Sequence, residues 1–170
     1  MADTNQLTRD EHILEEPRKL PEMLNVLTIL TFIGSGLGLL TSLWYFSSAK
    51  KFYDMTLANQ DKVAQAPAFV RGLQGSDPMG VAQRTYENRV PIVVLGVVAL
   101  ILCIIGAVQM RKLKKTGFYI YLVGEVLPII TGFIFIGAVA YTGVFQVIGA
   151  FLFPAVFIIL YATQLKHLRN

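Results

Sequence analysis

Residues 117–140, GFYIYLVGEVLPIITGFIFIGAVA, decide the fold class of this protein. The stretch is long and apolar, and it carries one charged side chain, Glu125. Roughly 20 mostly apolar residues are enough for a helix to cross the hydrocarbon core of a bilayer. The stretch therefore predicts a transmembrane helix, and it raises the question of what a carboxylate does inside one.

Three further segments have the same character, residues 24–46, 91–110 and 144–163. Over the whole chain of 170 residues, 54% are hydrophobic and 15% are charged, whereas about 25% of a typical soluble domain is charged. The runs lack the polar face of a helix in a soluble bundle. They also lack the alternation of a membrane β-strand. The sequence predicts an all-α, polytopic membrane protein with four transmembrane helices.

The segments outside these spans are polar. Residues 1–23 hold six acidic and three basic side chains, and so few apolar groups predict a largely disordered tail. Residues 47–90 form the one sizeable loop, in which we expect two short helices. The first continues span one as far as Pro67. The second begins after Asp77 as N-cap, with Pro78 at its first position.

Basic residues in short loops indicate the orientation of the chain. Residues 111–116 carry Arg111, Lys112, Lys114 and Lys115, and loops rich in Lys and Arg stay in the cytoplasm. With this loop inside, both termini are inside, including the short C-terminal segment 164–170. The inner side then holds nine Lys and Arg against six in the long outer loop. We therefore expect both the N-terminus and the C-terminus to lie in the cytoplasm (N-in, C-in).

Small residues recur at helical spacing in the first two spans. Membrane helices associate by close backbone packing at such residues, so we predict helix-packing ridges on both spans, facing another span or a second copy of the chain. The predicted ridge residues are Gly34, Gly38 and Ser42 in span one, and Gly96, Ala99 and Cys103 in span two. Cys103 is the one cysteine of the chain, which excludes an intrachain disulfide.

Glu125 is the residue whose position inside a span costs the most free energy. It lies roughly 12 Å along the helix from Gly117, where an ionised carboxylate costs several kcal/mol. None of the four spans contains a Lys, Arg or His. We therefore expect Glu125 to face the protein interior in its protonated form. Pro128 has no N–H, so the carbonyl of Gly124 loses its helical partner and is available to the carboxyl.

Depth matching adds further members to this candidate intramembrane polar site. Thr28, Thr31 and Ser35 of span one fall at the level of Glu125. Cys103 of span two and Pro154 of span four fall near the same level. Tyr121 lies one turn before Glu125 on the same helix face. Two interpretations are open. The group is a proton-binding or ligand-binding pocket, or it is a hydrogen-bonded carboxyl that joins a kinked helix to span one.

Other functional classes find little support in the sequence. It has no H-E-x-x-H motif, no paired aspartates in the spans and no Ser/His/Asp set, so we expect no catalytic residues, no metal site and no enzyme activity. The glycines at 34, 36 and 38 do not match the spacing G-x-G-x-x-G, so we expect no cofactor. No basic groove with interleaved aromatics is present, which argues against nucleic acid. The expected partners are membrane lipid and other membrane proteins or a second copy.

Two segments resemble a known group of proteins. The segment KKTGFYIYLVGEVLP, residues 114–128, and the closing FIILYATQLKHLRN, residues 157–170, resemble small uncharacterised four-span inner-membrane proteins of the Bacteroidota. The resemblance implies a bacterial inner-membrane protein. It brings no activity and no site residues with it.

The sequence leaves two functions open. The first is a non-enzymatic membrane protein that acts through helix–helix association as an accessory or assembly subunit, or as a self-associating scaffold. The alternative is a small oligomeric proton-coupled transporter or channel in which Glu125 titrates.

Overall fold

The computed structural model describes residues 20–168, the side chains of residues 63 and 64 excepted. Within that range the chain is helical and has no β-strand. The prediction of a disordered tail falls almost entirely on residues 1–19, which lie outside the described range, as do residues 169 and 170. The all-α fold class predicted from the sequence is confirmed for the described residues.

Four helical segments are long and apolar enough to cross a membrane. They are α1 (Glu22–Ala58), α5 (Arg89–Arg111), α6 (Thr116–Phe135) and a composite segment, Val144–His167, which we call span four. Span four consists of α7 (Val144–Val147), a π-helical turn (Ile148–Leu152), α8 (Phe153–Thr163) and a 3₁₀ turn (Leu165–His167). By their length and composition, these helices define a multi-pass membrane protein.

The chain between α1 and α5 forms a small helical cap. α1 is 37 residues long, about 55 Å, and is followed by α2 (Gln60–Ala64), α3 (Ala68–Gln74) and α4 (Pro78–Glu87). The loop thus contains three separate short helices besides the extension of α1. The predicted start of α4 is confirmed, because the Asp77 side chain accepts a hydrogen bond of 2.8 Å from the backbone N–H of Gly80.

The cap is attached to the spans by aromatic and polar contacts. The ring of Tyr86 stacks on Tyr53 of α1 with 5.5 Å between centroids, and the Arg89 guanidinium lies 4.7 Å from the centroid of Tyr86. Arg84 donates a 2.7 Å hydrogen bond to the carbonyl of Ile136, just beyond α6. Gln146 donates one of 2.9 Å to the carbonyl of Gln74. The cap therefore contacts both α1 and the turn between α6 and span four.

The third span ends earlier than predicted. α6 stops at Phe135, and the chain then turns at Gly137, whose φ of 91° suits a glycine. A 3₁₀ turn, Ala138–Tyr141, leads to span four. The predicted end at residue 140 rested on apolar composition, which does not distinguish a helix from an apolar turn.

The most extensive helix pairing is that of α5 with α6, and glycine allows the two backbones to approach closely. A Cβ atom on Gly106 would lie 2.7 Å from the carbonyl oxygen of Gly117. One on Gly117 would lie 2.6 Å from the backbone nitrogen of Met110. One on Gly124 would lie 2.7 Å from the sulfur of Cys103. A side chain at any of the three positions would push the two backbones apart.

The residues of the predicted ridges differ in what they contact. Ala99 and Cys103 are buried, and both face Gly124 across the α5–α6 contact. Gly38 faces the side chain of Leu100, at 2.9 Å from a Cβ built on it. Ser42 is half-buried on α1. A Cβ built on Gly34 or Gly96 meets no atom within 4 Å, so these two glycines do not hold helices in contact and instead line a cavity.

Tight packing is concentrated at the end of the bundle that carries the basic loop, which we call the basic end. Leu24, Met110, Tyr121 and Tyr161 are at most 1% exposed there and belong to one apolar cluster with Phe118. Span four packs more thinly. Tyr161 is the one buried residue of α8, and none is buried in α7 or the π-helical turn.

We predict that Gly106→Ala destabilises the protein by about 1–3 kcal/mol, because the added methyl group overpacks the α5–α6 contact. Gly36→Ala is the matched control, since a Cβ at Gly36 meets nothing within 4 Å. The free energy of unfolding in mixed detergent micelles measures both changes. Equal stability of the two variants would contradict the proposed contact.

Candidate intramembrane site at Glu125

The Glu125 side chain is half-buried on α6 and bonded within its own helix. The hydroxyl of Tyr121, one turn earlier, donates a hydrogen bond to Glu125 Oε1. Tyr121 is 1% exposed, so the donor is held firmly in the core. Among the described residues, Tyr121 is the hydrogen-bond partner of the Glu125 carboxyl. This hydrogen bond lies within α6 and does not connect α6 to α1.

Gly124 and Pro128 take different positions from those inferred for them. α6 continues through Pro128, and Gly124 is buried against Cys103 of α5. The Gly124 carbonyl is not the hydrogen-bond partner of the carboxyl, because Tyr121 takes that role. Pro128 lines the same open space as Glu125.

Another hydrogen bond near Glu125 connects α1 to span four. The hydroxyls of Thr31 on α1 and Tyr161 on α8 share a hydrogen bond of 2.8 Å. The rings of Tyr161 and Tyr121 are in contact, with centroids 4.6 Å apart. Thr31 is thus connected to Tyr161 by a hydrogen bond. Tyr161 is connected to Tyr121 by ring contact, and Tyr121 to Glu125 by a second hydrogen bond. Sequence reasoning missed Tyr161, which sits in an apolar run of α8 without a distinguishing pattern.

The other predicted residues of span one separate into two groups. Thr31 and Ser35 line the same cavity as Glu125. Thr28 is fully buried and donates a 2.9 Å hydrogen bond to the carbonyl of Asn25 on its own helix. Thr28 therefore lies in the packed core and not at the site.

The first cavity at Glu125 lies between α1, α5 and α6, with Phe157 of α8 also in its lining, and has a volume of about 230 Å³. Its polar lining consists of Thr31 and Ser35 from α1 and of Tyr121 and Glu125 from α6. The rest of the lining includes the small residues Gly34, Gly96, Ala99, Cys103 and Gly124. A cavity of this size, with polar groups from two helices, can hold several water molecules or a small polar solute.

A second cavity lies on the other side of Glu125, against span four. Its volume is about 150 Å³, and Glu125 and Pro128 line it together with Tyr141, Gly149 and Pro154. Glu125 therefore borders open space on both sides of α6. The sequence placed Pro154 at the level of Glu125, and the structure brings both to this cavity.

Span four is irregular where it faces the second cavity. The π-helical turn Ile148–Leu152 comes directly before α8, whose second residue is Pro154. Pro154 has no N–H to offer the carbonyl of Ala150, which also lines the cavity. Single π-turns inside α-helices occur frequently at functional sites. The proline was visible in the sequence, but the π-turn was not predicted.

Tyr141 closes the second cavity towards the cap. Its hydroxyl donates a 2.9 Å hydrogen bond to the carbonyl of Ile129 on α6. Its ring lies 4.5 Å from that of Phe133 and 5.3 Å from that of Phe151, measured between centroids. Tyr141 lies between the predicted spans 117–140 and 144–163, and the sequence pattern gave it no role.

The chemistry available at the site is that of a carboxyl and neighbouring hydroxyls. Within residues 20–168, no group of three or more His, Cys, Asp or Glu lies close enough together to hold a metal ion. The carboxyl can bind and release a proton, and the hydroxyls of Thr31, Ser35 and Tyr121 can exchange hydrogen bonds with water or a small solute in the first cavity.

Comparison of the chain with protein-family models, with curated proteins and with solved structures gives no match. The fold and the site define a class: a multi-pass, all-α membrane protein with a carboxyl between two cavities within its spans.

We predict a coupling of about 0.5–1.5 kcal/mol between Thr31 and Tyr161, the range expected for one hydrogen bond between membrane helices. A double-mutant cycle with Thr31→Val and Tyr161→Phe measures it from the free energies of unfolding. Both substitutions keep the shape of the side chain, so strictly additive effects would show that the hydrogen bond contributes nothing.

Proposed function

We propose that this protein is a small, non-enzymatic, proton-coupled membrane transporter or channel in which Glu125 takes up and releases the proton. The observation that carries the proposal is the position of Glu125 between two cavities. Acids within membrane spans are expensive and mark ion and proton pathways in many membrane proteins.

The hydrogen bonding of Glu125 supports this function over a purely structural one. A carboxyl that stabilises a bundle is expected to bond across helices, whereas the partner of Glu125 is Tyr121 on its own helix. The cross-helix bond nearby is formed by Thr31 and Tyr161 instead. Within residues 20–168, no buried side-chain oxygen or nitrogen lacks a hydrogen-bond partner, and Glu125 lines both cavities.

The two helix irregularities support a movement of the carboxyl between the cavities. Pro128 interrupts the hydrogen-bond ladder of α6 within one turn of Glu125, and the π-turn before Pro154 does so in span four. Interrupted helices at the level of a binding site are typical of transporters. In our proposal, Glu125 binds a proton from one cavity and releases it into the other.

The direct test is proton flux into liposomes that contain the purified protein and a pH-sensitive dye. We expect Glu125→Gln to lower the flux to the level of protein-free liposomes, because glutamine keeps the side-chain shape but binds no proton. Glu87→Gln is the matched control, since Glu87 lies on α4 of the cap, outside the four spans. We expect its flux to equal that of the wild type.

Infrared difference spectroscopy gives an independent readout of the same group. We expect a carboxyl band that is absent from Glu125→Gln and that responds to the pH of the medium in lipid. A band that stays unchanged at every pH, together with no flux in the wild type, would reject the proposal and leave Glu125 as a structural carboxyl.

For the orientation, we propose that both termini and the basic loop lie in the cytoplasm of a bacterial cell, with the cap outside. The support is the group of four basic residues in 111–116 and the resemblance to Bacteroidota inner-membrane proteins. In a Cys103→Ala background, we expect a membrane-impermeant thiol reagent to label Gln83→Cys in intact spheroplasts. It should label Lys114→Cys only after the membrane is permeabilised. The reverse pattern would invert the orientation.

A second candidate function is a self-associating scaffold or an accessory subunit. The observation that favours it is the thin packing of span four, where Phe153 is 63% exposed and Ile159 is 63% exposed. An apolar helix with few contacts inside its own chain has a face available for another membrane helix.

Disulfide cross-linking in native membranes distinguishes this candidate. In the Cys103→Ala background, self-association through span four predicts covalent dimers of Phe153→Cys. Val94→Cys on α5, 55% exposed, is the matched control and should remain monomeric. Monomers for both variants would exclude self-association through this face.

A further inference from the structure

A third cavity, larger than the two at Glu125, lies in the cap. This cap cavity has a volume of about 600 Å³, within the range of roughly 300–1,000 Å³ that is usual for small-molecule sites. Its polar lining is provided by Thr56, Gln60, Arg71, Ser76, Asp77 and Thr142. These residues come from α1, α2, α3, the start of α4 and the turn before span four.

The walls of the cap cavity carry one charge of each sign. Arg71 provides a guanidinium from α3, and Asp77 a carboxylate from the N-cap position of α4. The capping bond to the Gly80 N–H uses Asp77 Oδ1. Arg71 and Asp77 are both exposed side chains. A guanidinium binds a carboxylate through two parallel hydrogen bonds, and a carboxylate binds an ammonium group.

Hydroxyl and apolar groups complete the lining. Ser76 and Thr142 meet in the cavity wall, where the Ser76 backbone N–H donates a 3.0 Å hydrogen bond to Thr142 Oγ1 and the Ser76 hydroxyl lies 3.2 Å from the same atom. Met79 and Ala68 add apolar surface. The combination suits a molecule with a carboxylate, an ammonium group and a small side chain.

The wall between α3 and α4 is held in a defined shape by the turn before span four. Gly75 has a φ of 100°, and a Cβ at this position would lie 2.9 Å from Thr142 Oγ1. The side chain of Gln146 on α7 donates a hydrogen bond to the carbonyl of Gln74, the last residue of α3. The cap cavity is thus bordered by contacts from two separate parts of the chain, as expected of a preformed site.

We propose that the cap cavity binds a small zwitterion of the size of a free amino acid, with its carboxylate on Arg71 and its ammonium group on Asp77. The single positive and single negative charge on the walls favour a zwitterion over a simple anion or cation. This site is separate from Glu125 and does not depend on the proposed transport function.

Isothermal titration calorimetry on the full chain in lipid nanodiscs tests the proposal with L-serine and L-leucine as probes. Propionate and propylamine are the matched probes that carry one charge each. We expect at least one amino acid to bind, and to bind about tenfold or more tightly than either singly charged probe. Equal binding of propionate, or no binding of either amino acid, would overturn the proposal.

Three variants locate the binding. Arg71→Gln and Asp77→Asn each remove one charge, and asparagine keeps the N-cap of α4 because it caps helices as well as aspartate does. We expect each to weaken amino-acid binding about tenfold or more. Lys62→Gln, which removes a charge from α2 outside the cavity lining, should leave it unchanged. Unfolding curves matching the wild type exclude misfolding, and undiminished binding by Arg71→Gln would reject the site.

Discussion

The close contact of α5 with α6 is the interaction on which the arrangement of the site depends. Gly106, Gly117 and Gly124 allow the two backbones to approach until a single methyl group would separate them. Lipid offers no hydrophobic driving force between helices, so close approach of this kind is the main source of their attraction. The contact fixes the rotation of α6, and with it the direction in which Tyr121 and Glu125 project from the helix.

The packing between the helices changes along the length of the bundle. At the basic end, large side chains such as Tyr161, Leu24 and Met110 fill the space between the helices. At the level of Glu125, glycines at positions 34 and 96 leave the space between α1 and α5 unfilled. Span four adds a further opening at its π-turn. A well-packed end therefore supports a middle section with room for water or solute, and the carboxyl lies in that section.

Much of the candidate site was predictable, because depth in the membrane follows from the sequence alone. The rise of a helix is constant, so residues at matching distances along antiparallel spans share a level. Thr31, Ser35, Cys103 and Pro154 share the level of Glu125 by this measure, and all four line its cavities. It also included Thr28, which faces the core. Depth in the membrane does not determine which side of its helix a residue faces. Tyr161 and Tyr141 were not predicted, because an aromatic residue in an apolar run gives no indication of its contacts.

The sequence by itself determined that the chain has four apolar helices long enough to cross a membrane and a capped helix beginning at Pro78. It also determined that one acidic residue, Glu125, lies within the predicted spans. These are local properties, set by hydropathy, by backbone hydrogen bonding and by capping chemistry. Only the tertiary structure decided which small residues touch another helix, that the carboxyl bonds within its own helix, and that it borders two cavities. Those features depend on the rotation and separation of helices, which arise from the packing of distant segments and are not contained in the spacing of residues along any one of them.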